Sequence, residues 1–139
     1  MADTSSTPPP ITGLVPMLHV ADVERSVEFY QLLGFEVGNR VPPIGPMGWC
    51  WLYQPRAADW KRGANLMLSR SECPIDATAQ QFLFYLYATD LVALRSDLLG
   101  RGLKPGGIEY PEYLPKGEFQ LRDPDGYCLM IAQSAPETP

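Results

Sequence analysis

The residues of this chain that could do chemistry are few and scattered. Its 139 residues include one histidine, His19. An imidazole near its ordinary pKa can serve as a general base or orient a ligand, but catalysis needs a nucleophile or a second acid beside it, and the sequence offers neither there. The three cysteines, Cys50, Cys73 and Cys128, are odd in number and have no C-x-x-C spacing, so they imply neither a disulfide framework nor a zinc site. A single histidine also cannot assemble the two-histidine, one-carboxylate iron site within one subunit. No phosphate-cradling glycine loop and no nucleophile motif is present. Aromatic surface, by contrast, is abundant. Trp49, Trp51 and Tyr53 alternate, as do Tyr85 and Tyr87. On strands, each set shares one face. Such rings stack on planar ligands, cover a pocket or seal an interface, and they attract cations.

Short elements must position these side chains. Leu14 to Val20 has strand composition, and Asp22 then caps a segment whose apolar residues Val23, Val27, Tyr30 and Leu33 fall at helical spacing before Gly34 stops it. Strands are predicted over Phe35 to Val41, Trp49 to Tyr53 and Asn65 to Leu68, with a proline-glycine loop over Pro42 to Gly48. The same order then begins again. Phe82 to Tyr87 reads as a strand, Asp90 caps a helix carrying Leu91, Leu94 and Leu98, and strands follow near Leu103 to Tyr110, Glu118 to Arg122 and Tyr127 to Ile131. Asp22 falls on Asp90, Gly34 on Gly102 and Gly38 on Gly106, each 68 positions on. A repeat of that length is too long for a solenoid unit and reads as a duplicated module. The expected organisation is a tail over 1–11, a domain over 12–133 with modules at about 12–70 and 80–133, and a tail over 134–139.

Pro16 to Asp22 (PMLHVAD), Arg25-Ser26, Phe29-Tyr30 and Leu33-Gly34-Phe35, together with Asp123-Pro124-Asp125-Gly126, resemble the vicinal oxygen chelate superfamily, and within it the glyoxalase and bleomycin-resistance branch. The resemblance implies an α+β fold of two tandem βαβββ modules whose curved mixed sheet forms a cup, usually within a homodimer. It also implies four places where metal-using relatives carry ligands, and here these hold Val15, Leu83, Met67 and Met130. Valine and leucine coordinate nothing, and thioethers suit only soft ions such as Cu(I). A metal-free branch is expected, without a cofactor.

Alternation then assigns the cup face. Met17 and His19 share it with Val15, and Tyr85 and Tyr87 share it with Leu83. Met67 follows from the last strand of the first module, and Cys128 and Met130 from that of the second. Trp49 and Trp51 add the aromatic wall. Glu109 and Tyr113, on the long loop Pro105 to Gly117, are candidates for a polar rim. The set is mostly apolar with a few polar groups, the composition of a small-molecule pocket and equally of a filled core.

The net charge of −5 argues against a phosphate-tracking nucleic-acid binder and favours neutral or cationic partners. No apolar run is long enough to span a bilayer, and no secretory leader is seen, so a cytoplasmic location with free thiols is expected. The leading expectation is a small-molecule-binding homodimer, related to antibiotic resistance, that sequesters a partly aromatic ligand able to carry positive charge. Two rivals stay open: a lyase, isomerase or dioxygenase of the same superfamily with an atypical site, and a structural or regulatory module whose cup is filled by its own side chains.

Overall fold

The computed structural model describes residues 7–60, 62–76, 79 and 82–134, so the outer parts of both expected tails lie outside the described residues. Seven strands and two helices follow one another as β1 (Met17–Val20), α1 (Val23–Gln31), β2 (Glu36–Val41), β3 (Trp49–Tyr53), β4 (Asn65–Arg70), β5 (Phe84–Ala88), α2 (Leu91–Gly100), β6 (Glu118–Arg122) and β7 (Cys128–Gln133). Among the described residues no helix is long and apolar enough to cross a membrane.

The duplication is visible bond by bond. Asp22 and Asp90 both stand in extended backbone, and each accepts at its carboxylate from the N–H three residues on, Arg25 at 3.1 Å and Ala93 at 3.0 Å. Each helix thereby gains a partner for an otherwise orphaned N–H. At the other end Gly34 and Gly102 turn at φ of 91° and 86°, the left-handed region that glycine enters without steric cost. Phe35 N then bonds Tyr30 O, and Leu103 N bonds Leu98 O, again 68 positions apart.

Each module closes into its own mixed sheet, one ordered β1-β4-β3-β2 and the other β5-β7-β6. The first and last strands of a module are parallel neighbours, with Met17 opposite Met67 in the first sheet and Tyr85 opposite Met130 in the second. The second sheet has one strand fewer than the sequence predicts. Over 103–110 only Glu109 bridges to Glu118, with one further bond from Gly106 N to Gln120 O. Pro105 lacks an N–H, and Gly106 and Gly107 cost backbone entropy in a ladder, so the residues with strand composition around them cannot propagate one.

Alternation sorts the first sheet cleanly and the second in part, where Glu118, Cys128 and Ala132 are buried on the face away from the core. Leu18, Val20, Cys50, Leu52, Leu66 and Leu68 point one way and are buried, joining Val23, Val27 and Tyr30 of α1. Phe119, Leu121, Leu129 and Ile131 do the same in the second module with Leu91 and Leu98 of α2, and all belong to one apolar cluster. The other face of each sheet is left without a covering layer from its own helix.

The turn Asp123-Pro-Asp-Gly126 does more than place β7. Asp123 Oδ2 accepts from the Tyr30 hydroxyl at 2.8 Å, and Asp125 accepts from Ala21 N and Arg25 Nη2, both at 3.1 Å. The Tyr127 hydroxyl donates to His19 O at 2.7 Å. The second module thus grips the strand-helix junction of the first, a role the turn composition does not reveal.

Candidate functional site

The uncovered face of the first sheet carries Met17 and His19 from β1, Trp49, Trp51 and Tyr53 from β3, and Asn65 and Met67 from β4. Their register makes rows across the sheet: Met17 beside Met67 beside Trp51, and His19 beside Ser69 beside Trp49. Trp51 and Tyr53 stack at 5.0 Å between ring centroids with 15° between planes. Trp51 is further fixed by its Nε1, which donates to Asn65 Oδ1 at 3.2 Å. The Asn65 amide cannot turn over without loss, because its Nδ2 donates to Trp60 O and Gly63 O. Gly38 of β2 supplies the remaining condition. A Cβ there would run into the Trp51 ring, so glycine is what allows the indole to lie against the sheet. A preset aromatic plate results, partly buried and bordered by two thioethers.

On the second sheet Tyr85 and Tyr87 of β5 stand beside Met130 and Ala132 of β7, with Gln120 and Glu118 of β6 beyond them. The tyrosine rings are 6.4 Å apart at 28°. The Tyr85 phenol is pushed up to about 12, first by its hydrogen bond with Tyr113, then by burial and by the charge of Glu118. Tyr113 comes from the loop before β6, and its hydroxyl donates to Glu118 Oε2 at 3.3 Å. Cys128 is buried on this face and takes a hydrogen bond from Gln120 Nε2 at 3.0 Å. Glu109 contributes its backbone to the bridge with Glu118, while its side chain is exposed at the rim.

The four positions at which the resemblance expects metal ligands do not suit a divalent ion. Met67 and Met130 stand on different sheets, Val15 and Leu83 lie just ahead of β1 and β5, and none offers a nitrogen or oxygen donor. Among the described residues no group of three or more His, Cys, Asp and Glu side chains could hold a metal ion. No disulfide joins Cys50, Cys73 or Cys128, and burial pushes the Cys50 thiol up to about 11, which keeps it protonated at neutral pH.

The predicted residues therefore gather as two plates on two sheets. A cavity of about 290 Å³ opens between the modules, lined by Leu18, Tyr30, Trp60, Asn65, Phe84 and Tyr85 among others. A wider groove of about 1010 Å³ runs past Phe35, Gln54, Arg62, Tyr87 and Ile131. Of the residues singled out from the sequence, Tyr85 borders the first and Tyr87 the second; Met17, His19, Trp49, Trp51, Met67, Cys128 and Met130 border neither. Sequence reasoning missed Trp60, which lies against Gly13 at the mouth of the cavity, and Glu118. Glu118 had a signal: it alternates with Phe119 and Leu121 in a predicted strand, which puts a carboxylate on the same face as Met130.

The family model for the N-terminal part of bleomycin-resistance-like proteins matches residues 14–43. No curated protein matches the chain. Among solved structures, a bleomycin resistance determinant encoded on the transposon Tn5 is 21% identical with a TM-score of 0.70, over 88% of this chain and 98% of that one. A bleomycin-binding protein from Streptomyces verticillus, solved with copper(II)-bleomycin, is 24% identical with a TM-score of 0.62, over 91% and 98%. A member of the glyoxalase/bleomycin resistance protein/dioxygenase superfamily from Sphaerobacter thermophilus is 18% identical with a TM-score of 0.62, over 88% and 98%.

Proposed function

We propose that this chain, which has the glyoxalase/bleomycin-resistance fold, is a binding protein that sequesters a planar, partly aromatic small molecule without transforming it. The observation that carries this reading is the plate of Trp51 and Tyr53, stacked, locked by Asn65 and given room by Gly38, on a sheet face that its own module leaves uncovered. An aromatic plate fixed before binding loses little entropy when a planar ring stacks on it, which favours affinity. Structures with this fold include proteins solved with bleomycin or copper(II)-bleomycin, which supports a ligand of that kind. The apolar residues at the four ligand places fit sequestration, because holding a molecule requires complementarity and no activated group.

The two plates belong to different sheets, and the chain pairs with a second copy so that the plate of one protomer faces that of its partner. Tyr87 is 62% exposed and Met17 is 48% exposed, and exposed apolar faces of this kind mark interaction sites. A partly exposed cup also disfavours the reading in which the face is packed by its own side chains.

Calorimetric titration and thermal shift with bleomycin and a panel of planar heteroaromatics test the proposal. Ligand at about 100 times its Kd should stabilise the protein by about 2.7 kcal/mol, a shift of several degrees. Trp51→Ala should remove most of that shift. No shift with any member of the panel would count against sequestration.

A further inference from the structure

Glu118 is the first residue of β6, and its neighbours in the alternation decide where it points. Phe119 and Leu121 enter the core, so the Glu118 side chain stands on the opposite face with Gln120, beside Ala132 of β7 and, one strand further, Tyr87 of β5. It is nevertheless only 5% exposed. Tyr113 lies over it and donates to Oε2 at a long 3.3 Å, and the bridge to Glu109 fixes its backbone in both directions. Oε1 is buried without any hydrogen-bond partner.

A buried carboxylate oxygen left without a partner is costly, and a protein normally supplies a cation or further donors. Two of the described arginines are turned elsewhere. Arg122, four residues along the same strand and on the same face, gives its Nη1 to Gly126 O at 2.9 Å, and Arg95 gives its Nε to Gly106 O at 2.7 Å. None of the ion pairs among the described residues includes Glu118. What surrounds the carboxylate is phenol: Tyr113, which donates to it, Tyr85, which hydrogen-bonds with Tyr113 and approaches Glu118 itself, and Tyr87 on the far side of the buried Ala132. A carboxylate ringed by tyrosine faces matches an organic cation, which gains a charge-assisted hydrogen bond and the negative faces of the rings.

We propose that Glu118 is the anchor of a cation subsite: its unpartnered oxygen takes a primary ammonium or amidinium group of the ligand, with Tyr85 and Tyr87 as walls and Tyr113 as a movable cover. This rests on the sequestration reading above and adds to it the charged end of the ligand. The aromatic end stacks on the Trp51 plate of one protomer, and the cationic end is held at Glu118 on the facing plate of its partner. Tyr113 is 70% exposed, so its long bond can open without disturbing the core.

An isosteric pair separates charge from shape. In calorimetry with the full chain, 2-naphthamidine should bind more tightly than neutral 2-naphthamide by at least about tenfold, and the ratio should shrink with added salt. Glu118→Gln should abolish the ratio. Amide chemical-shift differences between the two complexes of the wild-type protein should centre on Tyr87, Glu118 and Ala132, a readout that does not depend on the variant folding. Equal affinity for the two probes, or a ratio that survives in Glu118→Gln, would overturn this subsite while leaving sequestration standing. Failure of both probes and of bleomycin to bind would overturn the sequestration reading, and the subsite with it.

Discussion

Tyr30 and Asp123 make the single contact on which the joining of the modules leans most. Both are buried, their side chains meet at 2.8 Å, and they lie 93 positions apart. Burial and the neighbouring carboxylates push the phenol far above its ordinary range, so it remains a donor at every working pH. Removing that donor in Tyr30→Phe leaves a buried carboxylate oxygen short of a partner, at a cost of about 1–3 kcal/mol, and should lower Tm by several degrees. Asp123 also makes stability depend on pH. Burial raises its carboxyl above the usual 3.8, although hydrogen bonds from Tyr30, Tyr127 N and Asp125 N pull the other way. A folded pKa above the unfolded one means that the native state holds the proton longer. This residue's contribution is therefore full below the usual value and is lost as pH rises through the raised one. In thermal melts across the acid range, the wild type should lose Tm relative to Asp123→Asn over that interval and run parallel to it above. Curves parallel throughout would exclude the linkage.

At the scale of elements, the two helix starts are copies, and their caps should weigh alike. Asp22→Ala and Asp90→Ala each remove a side-chain acceptor from the first turn and should each cost about 1 kcal/mol. In the double variant the costs should add, because the caps share no partner. Denaturant melts read both values; an indifferent Asp90→Ala would mean that α2, which buries only Leu91 and Leu98, is held by its strand contacts instead. These caps were legible in the sequence because capping, glycine stops and alternation act within a few residues. The same locality explains the facing of Trp49, Trp51, Tyr85 and Tyr87. It also explains the error over 103–110, where Leu103, Ile108 and Tyr110 suggest a strand and the Pro-Gly-Gly between them forbids a continuous ladder. The grip of Asp125 on Arg25 spans 100 positions, and the orphaned oxygen of Glu118 depends on where Tyr113, Arg95 and Arg122 turn. Neither follows from any local pattern. The preset indole was half legible: alternation placed Trp51, while its lock through Asn65 and the space at Gly38 needed the register of β3 with its neighbours.

The whole molecule presents two aromatic plates that one chain leaves partly open, and the proposed dimer follows from them. Separate apolar faces on one small acidic protein invite either aggregation or a specific partner. In the proposed dimer a second copy covers both at once, because a two-fold axis sets the first sheet of each protomer against the second sheet of the other and repeats the contact. Sedimentation velocity from nanomolar to high micromolar protein should therefore show twice the monomer mass, with dissociation only on dilution. Tyr87→Lys and Met17→Glu each set a charge on one of the two plates. Each should shift the population toward monomer and weaken binding of the naphthyl probes in the same proportion, if protomers share the site. Asp22→Ala, remote from both plates, should change stability and leave the mass unaltered. A wild-type protein that stays monomeric at high micromolar concentration would rule out the shared site, and so would a monomeric variant that binds with full affinity. In either case the Trp51 plate and the Glu118 subsite would have to serve ligands within single chains.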